Sequence, residues 1–476
     1  MRVSLGGVEV ALEAESLERV EGGIRLLGKE VRVYPPFPAR AFFRHGWQSW
    51  SLTAWVDLRE AKRPLFPEAR RPQADDPFLL ESSAWWGSGV GALKGPGDQV
   101  LLLGALGVGA RVRGEEDLLL GRYAEGEGEW FLAYGEEAEV FAAYSRLLPG
   151  RLPGRPPRVF CTWYSHYTGI SEALLLALLE EIGDYPFEVF QVDDGWQRAL
   201  GDWEANEKFP RGMAFLAEAI RRKGLRPGLW LAPFLVTADS PLYRKRPEWV
   251  LRDQEGRPVP AGFNWGKPLL ALDAGKEEVV EFVVELLRKA MGWGYDYLKL
   301  DFLYAAALPG AEGEARYRRA MTRLREAAEG AYLLFCGAPV LASLGLADGL
   351  RVGPDVAPYW DNEDRSHFLA DPTGPGLRNA LRASLHRLWL SENVHVDPDV
   401  AYFRTRFNLL RPEEMRLQEG LAHLTGFKAT SDPPSWLLPE ERARLLAFLS
   451  QEVPVRLLGP YRLQVGEEVL DYACVL

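Results

Sequence analysis

The sequence predicts an α/β protein: a (β/α)8 barrel with an N-terminal β-sandwich domain and a small C-terminal β-domain. Three observations carry this expectation. A Pro/Gly-rich break at 148–157 divides two textures, short apolar segments alternate with helix-period segments beyond it, and residues 453–476 return to strand-like alternation. The 476 residues exceed the ~100–200 expected of one domain, and a barrel of ~250 residues fits inside them.

Residues 1–150 read as short alternating segments such as Val31–Tyr34 and Gln99–Leu103, punctuated by Gly-Gly, Gly-Pro and Pro-Pro turns. The run from Leu148 to Pro157 holds four prolines and two glycines, which defeats both helix and strand pairing. A domain boundary is therefore expected there, with 151–452 forming the barrel. Its strand candidates are Val159–Tyr164, Glu188–Val192, Gly228–Ala232, Tyr295–Phe302, Tyr332–Cys336, Leu350–Gly353, Val394–Val396 and Phe427–Ala429. Between them, Val279, Val283, Leu286 and Ala290 form one apolar stripe at helical spacing, and Tyr317, Met321, Leu324 and Ala328 form another. Both should pack outside the barrel. A last helix from Glu440 to about Gln451 closes the eighth unit, and 453–476, with a Gly-Pro turn at 459–460, is too small to fold except against the barrel.

Composition narrows the function. A formal net charge of −11 argues against a nucleic-acid or anionic-membrane surface, since either needs clustered cations. No apolar leader is readable at the N-terminus, so the expectation is a cytoplasmic protein, and no stretch suits a membrane span. Cys161, Cys336 and Cys474 are far apart and suggest reduced thiols rather than disulfides or zinc. The histidines at 45, 166, 367, 386, 395 and 423 show no ligand spacing beyond His395-Val-Asp397, which reads as a strand-end hydrogen bond, so neither metal nor cofactor is expected. By contrast, 16 Trp and 17 Tyr exceed what cores need, and such rings suit the flat faces of sugars.

Barrel active sites lie at the C-terminal ends of the strands, where this sequence places acids. The second strand ends in Asp193-Asp194 before Gly195-Trp196, the fourth in Lys299-Leu-Asp301, and the sixth in Arg351-Val-Gly-Pro-Asp355. Period-two alternation puts Lys299 and Asp301 on one inward face, a costly placement unless they satisfy each other or a ligand. A structural ion pair competes as a reading of Lys299, and an ordinary loop acid as a reading of Asp355. Two carboxyls across a pocket suit glycoside hydrolysis, one attacking the anomeric carbon and the other protonating the leaving oxygen.

A wider set of stretches resembles the α-galactosidases of glycoside hydrolase family 36, of the thermophilic bacterial type, in the clan that also holds family 27. The set comprises Phe43-Arg-His-Gly-Trp-Gln-Ser-Trp-Ser51, Cys161-Thr-Trp-Tyr-Ser165, Gln191-Val-Asp-Asp-Gly-Trp-Gln197, Gly201-Asp-Trp-Glu-Ala-Asn-Glu-Lys-Phe-Pro210, Gly228-Leu-Trp-Leu-Ala-Pro-Phe234, Tyr297-Leu-Lys-Leu-Asp-Phe302, Phe335-Cys-Gly-Ala-Pro339 and Arg351-Val-Gly-Pro-Asp355. The resemblance implies an N-terminal β-supersandwich and retaining hydrolysis of terminal α-galactosides through a covalent intermediate. It further implies Asp301 as nucleophile and Asp355 as acid/base, with Asp193, Asp194, Lys299 and Arg351 binding galactose hydroxyls and Cys336 and Gly337 near the 2-hydroxyl. Trp47, Trp50, Trp163 and Trp196 are the candidate rings of the pocket wall, although Trp163 suits core packing equally and Trp47 and Trp50 suit gluing the two domains together. The expected partner is a galactoside or galacto-oligosaccharide, in a monomer or homo-oligomer. Shorter terminal regions than in longer bacterial members put the oligomer contacts of those members in doubt.

Rival readings share parts of this pattern. A related α-N-acetylgalactosaminidase or a galactosyl transferase of the raffinose-synthase type would keep both Asp301 and Asp355. A Schiff-base aldolase would use Lys299 as nucleophile. A sugar-binding protein would keep the tryptophans but has no need of two strand-end acids.

Overall fold

The computed structural model of the chain describes residues 1–60, 62, 68–362, 371–459 and 461–476. His367 and Pro460, both named above, lie outside the described residues. At the N-terminal end, a six-stranded and a seven-stranded antiparallel sheet pack face to face. Strand Glu30–Tyr34 belongs to the first and Gln99–Ala105 to the second. Val31 and Val33 meet Leu101, Leu103 and Trp130 in one shared core, as alternation along each strand requires.

All eight barrel candidates form strands of one parallel sheet. They are β1 (Arg158–Cys161), β2 (Val189–Val192), β3 (Arg226–Leu231), β4 (Tyr297–Leu300), β5 (Tyr332–Phe335), β6 (Gly349–Arg351), β7 (His395–Asp397) and β8 (Lys428–Thr430). The ladder runs β7-β6-β5-β4-β3-β2-β1-β8, which is the neighbour order of a barrel with its seam between β7 and β8. Ala401 N bridges that seam by donating to Ala429 O over 2.8 Å. The two helical stripes fall on helices Glu277–Trp293 and Glu314–Ala327, with Ala328 capping the second, and every residue named in them is buried. The last barrel helix is Pro439–Ser450.

The strands end earlier than the sequence suggests, because their polar ends curl into the site. β1 stops at Cys161, and Trp163–His166 is a short helix rather than strand. β4 stops at Leu300, and Phe302 takes a left-handed φ of 54°. The unit after β5 has only the helix Val340–Ser343, and the N-terminal domain docks there. Ser49 N donates to Ala338 O and Val340 N to Trp47 O, while the buried Arg387 donates to the carbonyls of Gly46, Gln48 and Ser49. Strands Val455–Gly459, Arg462–Val465 and Glu468–Asp471 form a small antiparallel sheet. Leu463, Leu470 and Tyr472 of that region pack with Leu417 and Leu421 of helix Pro412–Thr425. Among the described residues no helix is long and apolar enough to cross a membrane.

Candidate active site

A cavity of about 240 Å³ opens at the C-terminal ends of the strands, lined by Asp193, Asp194, Lys299, Asp301 and Asp355 among others. Strand β2 ends at Val192, and Gly195 at φ 118° turns the chain so that both Asp193 and Asp194 face the cavity. A side chain at Gly195 would collide with the backbone of Thr168, so the turn depends on glycine. Asp193 Oδ2 accepts from Lys299 Nζ at 2.9 Å and Gln191 Nε2 at 2.6 Å. Asp194 Oδ1 accepts from Gln197 Nε2 at 2.6 Å and its Oδ2 from Trp265 Nε1 at 2.8 Å. Burial pushes the Asp194 carboxyl up to about 6 against those two donors.

Burial by itself lowers the proton affinity of the Lys299 ammonium, but Asp193 and Asp301 reverse this and hold it well above the usual lysine range. The ion pair and the cavity face are thus properties of the same lysine. Such a lysine is a fixed cation, not a free amine. Asp301, just past β4, accepts at Oδ2 from Trp230 Nε1 (2.9 Å) and at Oδ1 from Phe302 N (2.8 Å). Asp355 is about a third exposed at its side chain, 33%, and touches Arg351 Nη1 at 3.3 Å. Burial and the nearby charge of Asp399 push its carboxyl up to about 7, against Arg351 and Lys299.

Five sequence-derived candidates stand behind the wall rather than on it. Trp47 is 1% exposed and donates Nε1 to Glu314 Oε1 at 2.8 Å, so it fastens the N-terminal domain to the barrel. Trp196 is fully buried, donates to Trp230 O and packs beside Trp203. Cys336 is buried, its thiol raised well above the usual range by burial and then by Asp301. Gly337 is covered by the Trp50 ring, whose atoms lie 3.0 Å from where a Cβ would stand. Arg351 is committed behind the cavity to Asp397 and Asp399, at 2.9 Å each, besides Asp355. Trp50 and Trp163 do line the cavity.

Sequence reading missed several wall residues. Arg70 and Gln73 come from the N-terminal domain, Trp230 from β3, and Asn264 and Trp265 from a hairpin made by Pro260–Asn264 and Lys267–Ala271. The Asn264-Trp265-Gly266 turn was the available signal, since Asn and Gly favour such turns. Among the described residues no cluster of His, Cys, Asp and Glu could hold a metal ion.

Residues 144–324 match the Melibiase family profile. The solved structure of TtGalA, an α-galactosidase from Thermus thermophilus in complex with p-nitrophenyl α-D-galactopyranoside, is 78% identical, with a TM-score of 0.99 over 100% of this chain and 99% of that one. The α-galactosidase AgaA of Geobacillus stearothermophilus is 31% identical over 167 residues, 33% of this chain and 22% of that enzyme, so the matched stretch spans less than a quarter of its length. A crystal structure of AgaA superposes with a TM-score of 0.63 at 17% identity, over 93% of this chain and 67% of that one, a likeness of fold. With the family profile matched and a 78% identical relative covered almost end to end, the chain belongs to the melibiase family, among the α-galactosidases of glycoside hydrolase family 36.

Proposed function

We propose that the protein is a retaining α-galactosidase that releases terminal α-linked galactose by double displacement. The observation that carries this is one cavity faced by two carboxyls in opposite settings: Asp301, with both oxygens accepting N–H bonds, and Asp355, pushed up to about 7. Asp301 attacks the anomeric carbon as Asp355 protonates the departing oxygen. Asp355 then takes a proton from the water that hydrolyses the galactosyl–Asp301 ester. Asp193, Asp194 and Lys299 bind the galactose hydroxyls, with Arg351, Cys336 and Gly337 supporting the site from behind. Trp50 and Trp163 form wall surfaces. The charge on Lys299 weighs against the aldolase reading, which needs a neutral amine.

Residues 1–150, 151–452 and 453–476 form sandwich, catalytic barrel and C-terminal β-domain in this reading. The buried free thiols of Cys161 and Cys336 are consistent with a cytoplasmic protein.

A panel of nitrophenyl glycosides tests the activity, and proton NMR tests the stereochemistry. The α-galactoside should be cleaved far faster than the α-glucoside, because glucose leaves the Asp194 acceptor without its axial hydroxyl. Asp194→Asn sets an amide against either Gln197 or Trp265, both donors, and should lower galactosidase activity by ~100-fold or more without creating glucosidase activity. Equal cleavage of the two epimers, or β-galactose as first product, would overturn the reading.

A further inference from the structure

The geometry points to Asp399 as a positioning residue for the acid/base, one that keeps the Arg351 guanidinium from neutralising Asp355. The inference rests on Asp355 being the acid/base. Asp399 lies just beyond β7, is fully buried and takes a left-handed φ of 76°, which Asp and Asn tolerate better than most residues. Its Oδ2 accepts from Arg351 Nη1 at 2.9 Å, from Val356 N at 3.0 Å and from the Tyr164 hydroxyl. Its Oδ1 accepts from Val400 N at 2.8 Å.

Two links therefore run from Asp399 to Asp355. One is the backbone, because the Val356 amide is the next in the chain. The other is Arg351, whose Nη1 lies 2.9 Å from Asp399 but 3.3 Å from Asp355, while its Nε is held by Asp397 at 2.9 Å. A guanidinium carries one positive charge, and two buried carboxylates already claim it. Asp355 is left with the longest of the three contacts and a nearby anion, both of which favour its protonated form.

The surrounding charges define what Asp399 adds. Asp355 is faced by Asp399, Arg351, Lys299 and Asp301, with Tyr164 and Cys336 alongside. Asp399 is faced by Arg351, Asp397, Tyr164 and Lys299, with Tyr402 and Cys161 behind. Burial raises both acids, and Asp399 is the first charge that raises Asp355 further. Removing that charge frees Arg351 to pair with Asp355, so Asp355 should lose its proton at lower pH.

The test is the alkaline limb of kcat/KM for methyl α-galactoside, whose basic leaving group needs protonation, compared with 2,4-dinitrophenyl α-galactoside. In Asp399→Asn the limb for the methyl glycoside should move toward acid by about 1–2 pH units, and the dinitrophenyl profile should move much less. Asp399→Glu, which retains the charge, should keep the limb within about half a unit of wild type. An unmoved limb in a cooperatively melting Asp399→Asn variant, or equal shifts in both variants, would overturn the inference. If Asp399→Asn does not fold, Asp399→Gly, which also removes the charge and accepts the left-handed φ, takes its place, an acid-shifted limb supporting the inference and an unmoved one overturning it. A wild-type profile with no alkaline limb for the methyl glycoside would instead overturn the assignment of Asp355 itself.

Discussion

Trp265 Nε1 donates to Asp194 Oδ2 across 2.8 Å from a hairpin tip 71 residues further along the chain. Trp265 pays for this with a left-handed φ of 51°, unusual for a bulky side chain. Its ring also meets Trp230 edge-on and Phe302 at a tilt, so one residue both roofs the cavity and fixes one oxygen of the acid that reads the sugar.

Trp265→Phe should therefore keep the roof and lose the donor. Because Trp265 lowers the proton affinity of Asp194, its removal raises that affinity above the present value of about 6. The acid limb of kcat/KM should shift upward, and kcat/KM at neutral pH should fall roughly tenfold. A pH profile of aryl galactoside hydrolysis between pH 4 and 8 checks both. An unchanged limb would mean that Trp265 does not tune Asp194.

The contrast between Asp301 and Trp265 explains what the sequence made legible. Asp301 directly follows an apolar strand, so period-two alternation and barrel topology together locate it. Trp265 sits at the tip of a hairpin inserted between β3 and β4, and only the tertiary fold brings it back over the mouth. The same limit applies to Trp47 and Trp196. A tryptophan that glues a core and one that lines a sugar site both need a flat ring and a partner for Nε1, and local sequence does not separate Trp47 on Glu314 from Trp50 in the cavity.

The settings of Asp301 and Asp355 predict unequal losses on mutation. Asp355→Ala should slow methyl α-galactoside hydrolysis by roughly 10²–10⁴-fold while sparing much of the first step with dinitrophenyl α-galactoside. Added azide should restore turnover of the activated substrate and yield α-galactosyl azide, because azide attacks the β-linked galactosyl–Asp301 ester with inversion. Asp301→Ala should abolish turnover of both. Steady-state kinetics with product NMR decides, and equal losses without azide rescue would reverse or remove the assignment.

Trp47 and Trp50 should separate stability from binding. Trp47 is buried with its Nε1 bonded, so Trp47→Ala should cost about 3–5 kcal/mol of stability with little effect on KM in the folded fraction. Trp50 lines the cavity against Phe302 and Tyr304, so Trp50→Ala should raise KM several-fold, with a smaller loss of Tm. Melting curves and Michaelis–Menten kinetics on both variants test the division. A matched pair of effects would show that the two rings share one role.

The domain junction should also respond to pH through Glu314. Its carboxyl is buried, accepts from Trp47 Nε1 and from Gly109 N at 2.6 Å, and is pushed from 4.5 up to about 7, chiefly by burial. Between those two values the folded state holds a proton that the unfolded chain has released. Stability from this group is thus complete below pH 4.5 and declines as pH rises to about 7, by a total on the order of 3 kcal/mol. Glu314→Gln cannot ionise and loses one acceptor, so it should melt below wild type in acid. The gap should narrow as pH rises, because only wild type comes to carry the buried charge. Calorimetric melts of both proteins at pH 4.5, 6 and 8 measure this difference directly, and a gap that stays constant would show that Glu314 ionises at the same pH in the folded and unfolded chains.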